Sequence, residues 1–157
     1  MDRETYRHAE LGFTIELPPG IEVHEDLPHV ALLAVERSDV VPEGTFRASL
    51  SVVAEDGPEG LDLEGYVAGS LEREIAAMDD LRLLDRDQYE LGGVPVVRTL
   101  AHYRGGDALA VALEQWRLIA RGLGWVLSST SDAISFADKG EIMAECAETF
   151  RVEGATL

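Results

Sequence analysis

The chain reads as an α+β domain: a twisted, mainly antiparallel sheet flanked by two main helices. Three observations predict it. Short runs alternate apolar and polar residues, as half-buried strands do. Glycine-rich turns separate the runs of the second half, as tight hairpins require. Two other stretches carry apolar residues at three- and four-residue spacing, the mark of amphipathic helices.

Residues 11–17 alternate, with Phe13, Ile15 and Leu17 on one side, and Pro18-Pro19-Gly20 stops the run. Residues 30–35 form an apolar, β-rich second strand, and residues 39–44, with Pro42, turn the chain. Residues 45–54 alternate again, Phe46, Ala48, Leu50 and Val52 against Arg47, Ser49 and Ser51. An acidic loop spans 55–60. Asp62 then caps a helix whose stripe is Leu63, Tyr66, Val67, Leu71, Ile75 and Met78, closed by Asp79-Asp80.

Residues 81–91 read as a strand with Leu81, Leu83 and Leu84 inward. Gly92-Gly93 turns it into a strand over 94–103, and Gly105-Gly106-Asp107 turns again. Residues 108–121 have the composition of a helix, but the glycine turns on both sides favour a strand. After the turn at 121–124, residues 125–131 alternate once more. The last helix starts near Ser135 and carries Phe136, Ile142, Met143, Cys146, Ala147 and Phe150. Gly140 delays its start, because glycine is a poor helix former. The string is βββ-α-ββββ-α, and its hairpin links imply antiparallel pairing.

The 157 residues fit a single domain, 1–157, and 46% hydrophobic content suffices for one core. A lone cysteine, Cys146, and the absence of any CxxC exclude an internal disulfide and a structural zinc site. The charged start, with no apolar run behind it, reads as no secretory signal, so a cytoplasmic location is expected. No apolar run reaches the roughly 20 residues of a membrane span.

The formal net charge is −17, with 17 acidic and 5 basic residues through Met78 and 13 and 8 beyond it. Such a charge repels a phosphate backbone and an anionic membrane. It attracts a basic protein surface, and it also keeps the chain soluble.

Three groups of residues carry a family resemblance. Gly12-Phe13-Thr14-Ile15-Glu16-Leu17-Pro18 resembles an opening strand that ends in proline. Leu91-Gly92-Gly93-Val94-Pro95 resembles a glycine hairpin that starts a long meander. Thr130, Phe136 and Phe150 fit the closing strand and helix. Together they resemble the Mog/PsbP-like superfamily, which includes DcrB-type and LpqN-type bacterial proteins, over residues 11–152. The resemblance implies an α/β/α sandwich and mostly non-enzymatic roles. These include nuclear-transport cofactor, photosystem assembly, envelope lipoprotein and chaperone for secreted effectors. The chain is expected to depart from the envelope members, since its start reads as neither a signal nor a lipidation site, and no family site residue maps onto it.

Catalytic patterns are absent: there is no GxSxG, no P-loop and no GxGxxG. Cys146 falls on an apolar helical stripe, where a small thiol packs. His24 and His29 flank Glu25 and Asp26, but their spacing fits no standard metal site. No enzyme activity, cofactor or metal is therefore expected.

Trp116 and Trp125 have two readings. As core aromatics they pack beside a helix. Otherwise they line a groove on the open sheet face with Arg98, Tyr103 and Arg117. The expected function is a non-catalytic binding protein, an adaptor or chaperone-like module for a protein with a basic or amphipathic segment, such as a secreted protein. The alternative is a small-molecule or lipid-binding module with a pocket between sheet and helix. Exposed strand faces or edges would also support a homodimer, which sequence leaves open.

Overall fold

The computed structural model describes residues 2–57, 60, 62–106 and 109–155. Pro58 and Glu59 of the expected acidic loop, Asp107 of an expected turn and Ala108 of an expected strand lie outside the described residues. The elements are β1 (Glu4–His8), β2 (Phe13–Leu17), β3 (Ile21–His24), β4 (Leu32–Glu36), β5 (Ser49–Asp56), α1 (Leu63–Ala77), β6 (Arg82–Leu91), β7 (Val94–Arg104), β8 (Ala110–Ala120), β9 (Leu123–Asp132), α2 (Glu141–Ala147) and β10 (Arg151–Val152). Seven strands pair in the order β3-β4-β5-β9-β8-β7-β6, all antiparallel. A second sheet, β1-β2-β10, is also antiparallel.

Tight turns set the large sheet's register. Gly92 and Gly93 (φ 58° and 85°) join β6 to β7, and Arg121 and Gly122 (φ 54° and 75°) join β8 to β9. Two positive φ values in a two-residue loop match the right-handed twist of the strands.

Adjacent residues of a strand point to opposite faces. On β8, Trp116 therefore faces one side and Arg117 the other. The Trp116 face holds the core. Leu50, Val52, Val96, Leu118, Trp125 and Leu127 pack there against Phe13 and Ile15 of β2, Met143 and Cys146 of α2, and Phe150. The Arg117 face lies under α1, whose Ser70 bonds to Arg117. The helices thus flank the sheet on opposite sides, as the sequence leads one to expect.

Asp62 caps α1 by accepting from the Gly65 amide at 2.8 Å. The apolar stripe is corrected. Tyr66, Val67 and Ser70 are buried, and Ile75 is 56% exposed. Ser70 and Glu74 face the sheet because a buried arginine waits there, which swings Ile75 onto the flank. The inward placement of Leu83 and Leu84 is also corrected, since both are about half exposed. They lie on the edge strand β6, where the register shifts between Leu83 and Asp85.

Strands β1, β3 and β10 escape the sequence pattern. They are short and mostly exposed, so no alternation marks them. The strand expected over 45–54 begins only at Ser49. The last helix opens with a π-helical turn, Phe136–Gly140, ahead of α2.

Gly124 packs against the Tyr66 ring, and an added Cβ would lie 2.6 Å from it. Gly124→Ala is expected to destabilise the chain by about 1–3 kcal/mol, the usual effect of overpacking. Urea unfolding measures it.

Candidate functional site

The five side chains singled out from sequence do not line one groove. Trp116 and Trp125 are fully buried on the α2 face. The Trp125 ring packs 5.7 Å from Phe13 and 5.5 Å from Phe150, and its Nε1 donates to the Ala120 carbonyl at 3.0 Å. Trp116 Nε1 donates to the Tyr89 hydroxyl at 3.0 Å. Both indoles are core, because burying them removes the most apolar area.

Arg98 lies on the same face, beyond the core. It pairs with Glu114, with Asp87 at 3.1 Å and with Asp85 at 3.4 Å. Tyr89 donates to Glu148 Oε1 at 2.5 Å beside it. Glu114 is buried, and burial raises its carboxyl above the ordinary carboxylate pKa; Arg98 opposes the shift and Glu148 adds to it. Between the ordinary and the raised pKa, folded Glu114 holds a proton that the unfolded chain has lost. Its contribution to stability therefore falls as pH rises through that window. Glu114→Gln is expected to flatten this fall, as measured by denaturant unfolding at stepped pH.

Arg117 and Tyr103 occupy the other face. Tyr103, partly buried, lines a polar hollow with Asp80, Arg82, His102 and Arg104. Arg117 is fully buried under α1. Its Nε donates to Ser70 Oγ at 2.8 Å, its Nη1 reaches Thr99 Oγ1 at 3.5 Å, and its Nη2 lies 2.8 Å from Glu74 Oε2. Gln115 Nε2 donates to Glu74 Oε1 at 2.7 Å and to Ser128 Oγ at 3.0 Å. A groove of about 330 Å³ runs beside this cluster, walled by Val53, Ala77 and Val126 and edged by Glu55 and Arg73.

A third concavity escapes the sequence. A cleft of about 340 Å³ opens between the large sheet and α2. Pro18, Pro19, Ile21, Val40, Ile142 and Met143 wall it. Lys139, the chain's one lysine, holds Glu36 Oε1 at 3.0 Å there, and the same oxygen accepts from the Ala48 amide at 2.7 Å. The walls come from four separate stretches of chain, so no contiguous motif announces them. Pro18-Pro19-Gly20 reads in sequence only as a strand stop.

Among the described residues no group of three or more His, Cys, Asp and Glu side chains could hold a metal. His24 instead bonds to Glu22 at 3.1 Å. Burial pushes the Cys146 thiol up, away from the reactive thiolate. No helix among them is long and apolar enough to cross a membrane.

No protein-family model and no curated protein matches the sequence. Solved structures match nearly all of it. Cyanobacterial PsbP (CyanoP) from Synechocystis sp. PCC 6803 is 14% identical with a TM-score of 0.71, covering 96% of this chain and 92% of its own. The Ran-binding protein Mog1p of Saccharomyces cerevisiae is 15% identical with a TM-score of 0.67, covering 97% and 96%. LpqN of Mycobacterium tuberculosis, involved in cell envelope biogenesis, is 11% identical with a TM-score of 0.67, covering 96% and 90%. None of the three is named as an enzyme. Identities this low carry architecture and leave the site residues unmatched. A chain that superposes on PsbP and Mog1p almost end to end, with its antiparallel sheet between two helices, has the Mog/PsbP-like fold.

Proposed function

We propose that the protein is a non-catalytic binding protein of the cytoplasm, an adaptor or chaperone-like module for another protein. A basic, amphipathic segment of the partner seats an apolar side chain in the cleft beside α2. The cleft is the observation that carries this reading. It is concave and apolar, and Val40 on its wall is 63% exposed. Exposed apolar surface in a cavity favours a partner that covers it. The exposed carboxylates Glu43 and Glu141 stand near wall residues in the chain, and the net charge of −17 steers basic segments inward. Mog1p is a Ran-binding protein, so the fold supports protein recognition in at least that case.

Affinity capture from the host lysate, eluted with rising salt, tests the reading. A partner released by salt is expected, retained by Leu84→Asp and lost with Val40→Asp. Retention by both variants would remove the cleft from the interaction.

The cleft volume also falls in the range of roughly 300–1,000 Å³ typical of small-ligand pockets. A small apolar molecule or lipid is thus the second reading. A co-purified ligand in native mass spectrometry, displaced by Val40→Asp, would favour it over the protein partner.

A further inference from the structure

We infer that the groove between α1 and strands β5 and β9 is a carboxylate-binding site, occupied in this structure by the chain's own Glu74, and that its external ligand is a small carboxylate with a short apolar body. A buried guanidinium and a buried amide lie against the two oxygens of one carboxylate: Gln115 donates to one, while the Arg117 contact is an ion pair in which neither Nη2 nor Oε2, both buried, makes a hydrogen bond. Arg117, fully buried, meets Oε2 at 2.8 Å, and Gln115, 3% exposed, meets Oε1 at 2.7 Å. The planar guanidinium is the side chain best shaped for a carboxylate. As a device for stability alone it is a poor choice, since a buried ion pair often does no better than packed apolar residues of the same volume.

Glu74 is a displaceable occupant. Its side chain is 24% exposed, so it already has a path to water. The helix that carries it buries Tyr66 and Val67 nearer its start, and beyond them Ser70 and Glu74 hold it through hydrogen bonds. When an external carboxylate takes its place, Arg117 keeps a counter-charge, so the exchange leaves no buried ion alone. The groove supplies about 330 Å³ beside the cluster, with Val53 and Val126 for an apolar body and the Ser128 hydroxyl at its edge. The net charge of −17 repels anions from a distance. The site therefore selects ligands that also bury apolar surface. This inference is independent of the α2 cleft.

The test is NMR titration of the full chain with sodium hexanoate, replacing sodium chloride at constant ionic strength. Saturable shifts are expected at the Gln115 side-chain amide, Arg117 Nε–H, Ser70 and Ser128, with none from hexanamide. Glu74→Gln removes the charged competitor, so it is expected to bind hexanoate about tenfold tighter, since more of the receptor stands free. The inference is overturned if the wild-type chain shows no saturable shift at these residues, or if hexanamide reproduces the shifts. Equal affinity in a folded Glu74→Gln overturns it as well. Should that variant fail to fold, the wild-type titration decides alone.

Discussion

Trp125→Ala is expected to destabilise the folded chain by about 3–5 kcal/mol, the range for emptying a large aromatic site. Trp125 stands where three parts of the fold meet. Phe13 comes from the small sheet, Phe150 from the segment after α2, and Trp125 itself from β9 of the large sheet. The three rings sit 5.4–5.7 Å apart, within the range of favourable aromatic contact. Removing the indole leaves a cavity that Phe13 cannot fill, because β2 is tied to both β1 and β10. The Ala120 carbonyl also loses its donor. Urea unfolding should show a lower midpoint at an unchanged slope. A loss under about 1 kcal/mol would mean that the small sheet can collapse onto the large one.

The second large effect is at the α1 interface. Glu74→Ala is expected to cost about 3–5 kcal/mol in a buffer free of small carboxylates, because it leaves the Arg117 guanidinium buried without a counter-charge. Arg117→Met should cost less, since Glu74 already reaches solvent and can turn outward. The double variant should be more stable than Glu74→Ala alone, with the buried charge gone. A thermodynamic cycle over the four proteins measures this. Additive losses would show that the two side chains act separately.

Architecture was legible in the sequence where the sheet is two-sided and the turns are chemically forced. Asp62 caps by its own side chain, and Gly92, Gly93 and Gly122 take positive φ freely, so the cap and the glycine half of each hairpin follow from local chemistry, whereas Arg121 at φ 54° is held there by the paired strands. The strand over 110–120 followed from its bracketing turns against its helical composition, because the β7 and β9 ladders override propensity. The Leu83 and Leu84 placement went the other way. Apolar residues imply burial only if something lies opposite, and β6 is an edge.

The sites show the same division. Sequence alone determined the fold class, the acidity and the residue types available for binding: twelve arginines, one lysine and no catalytic pattern. Tertiary structure decided which of those residues meet. Alternation along β8 sends Trp116 into the core and its neighbour Arg117 under α1, so two candidates adjacent in sequence share no surface. Lys139 meets Glu36 across 103 positions, and Arg117 meets Ser70 across 47. Contacts at such separations depend on strand order and helix placement, which the whole chain sets together and no local pattern encodes.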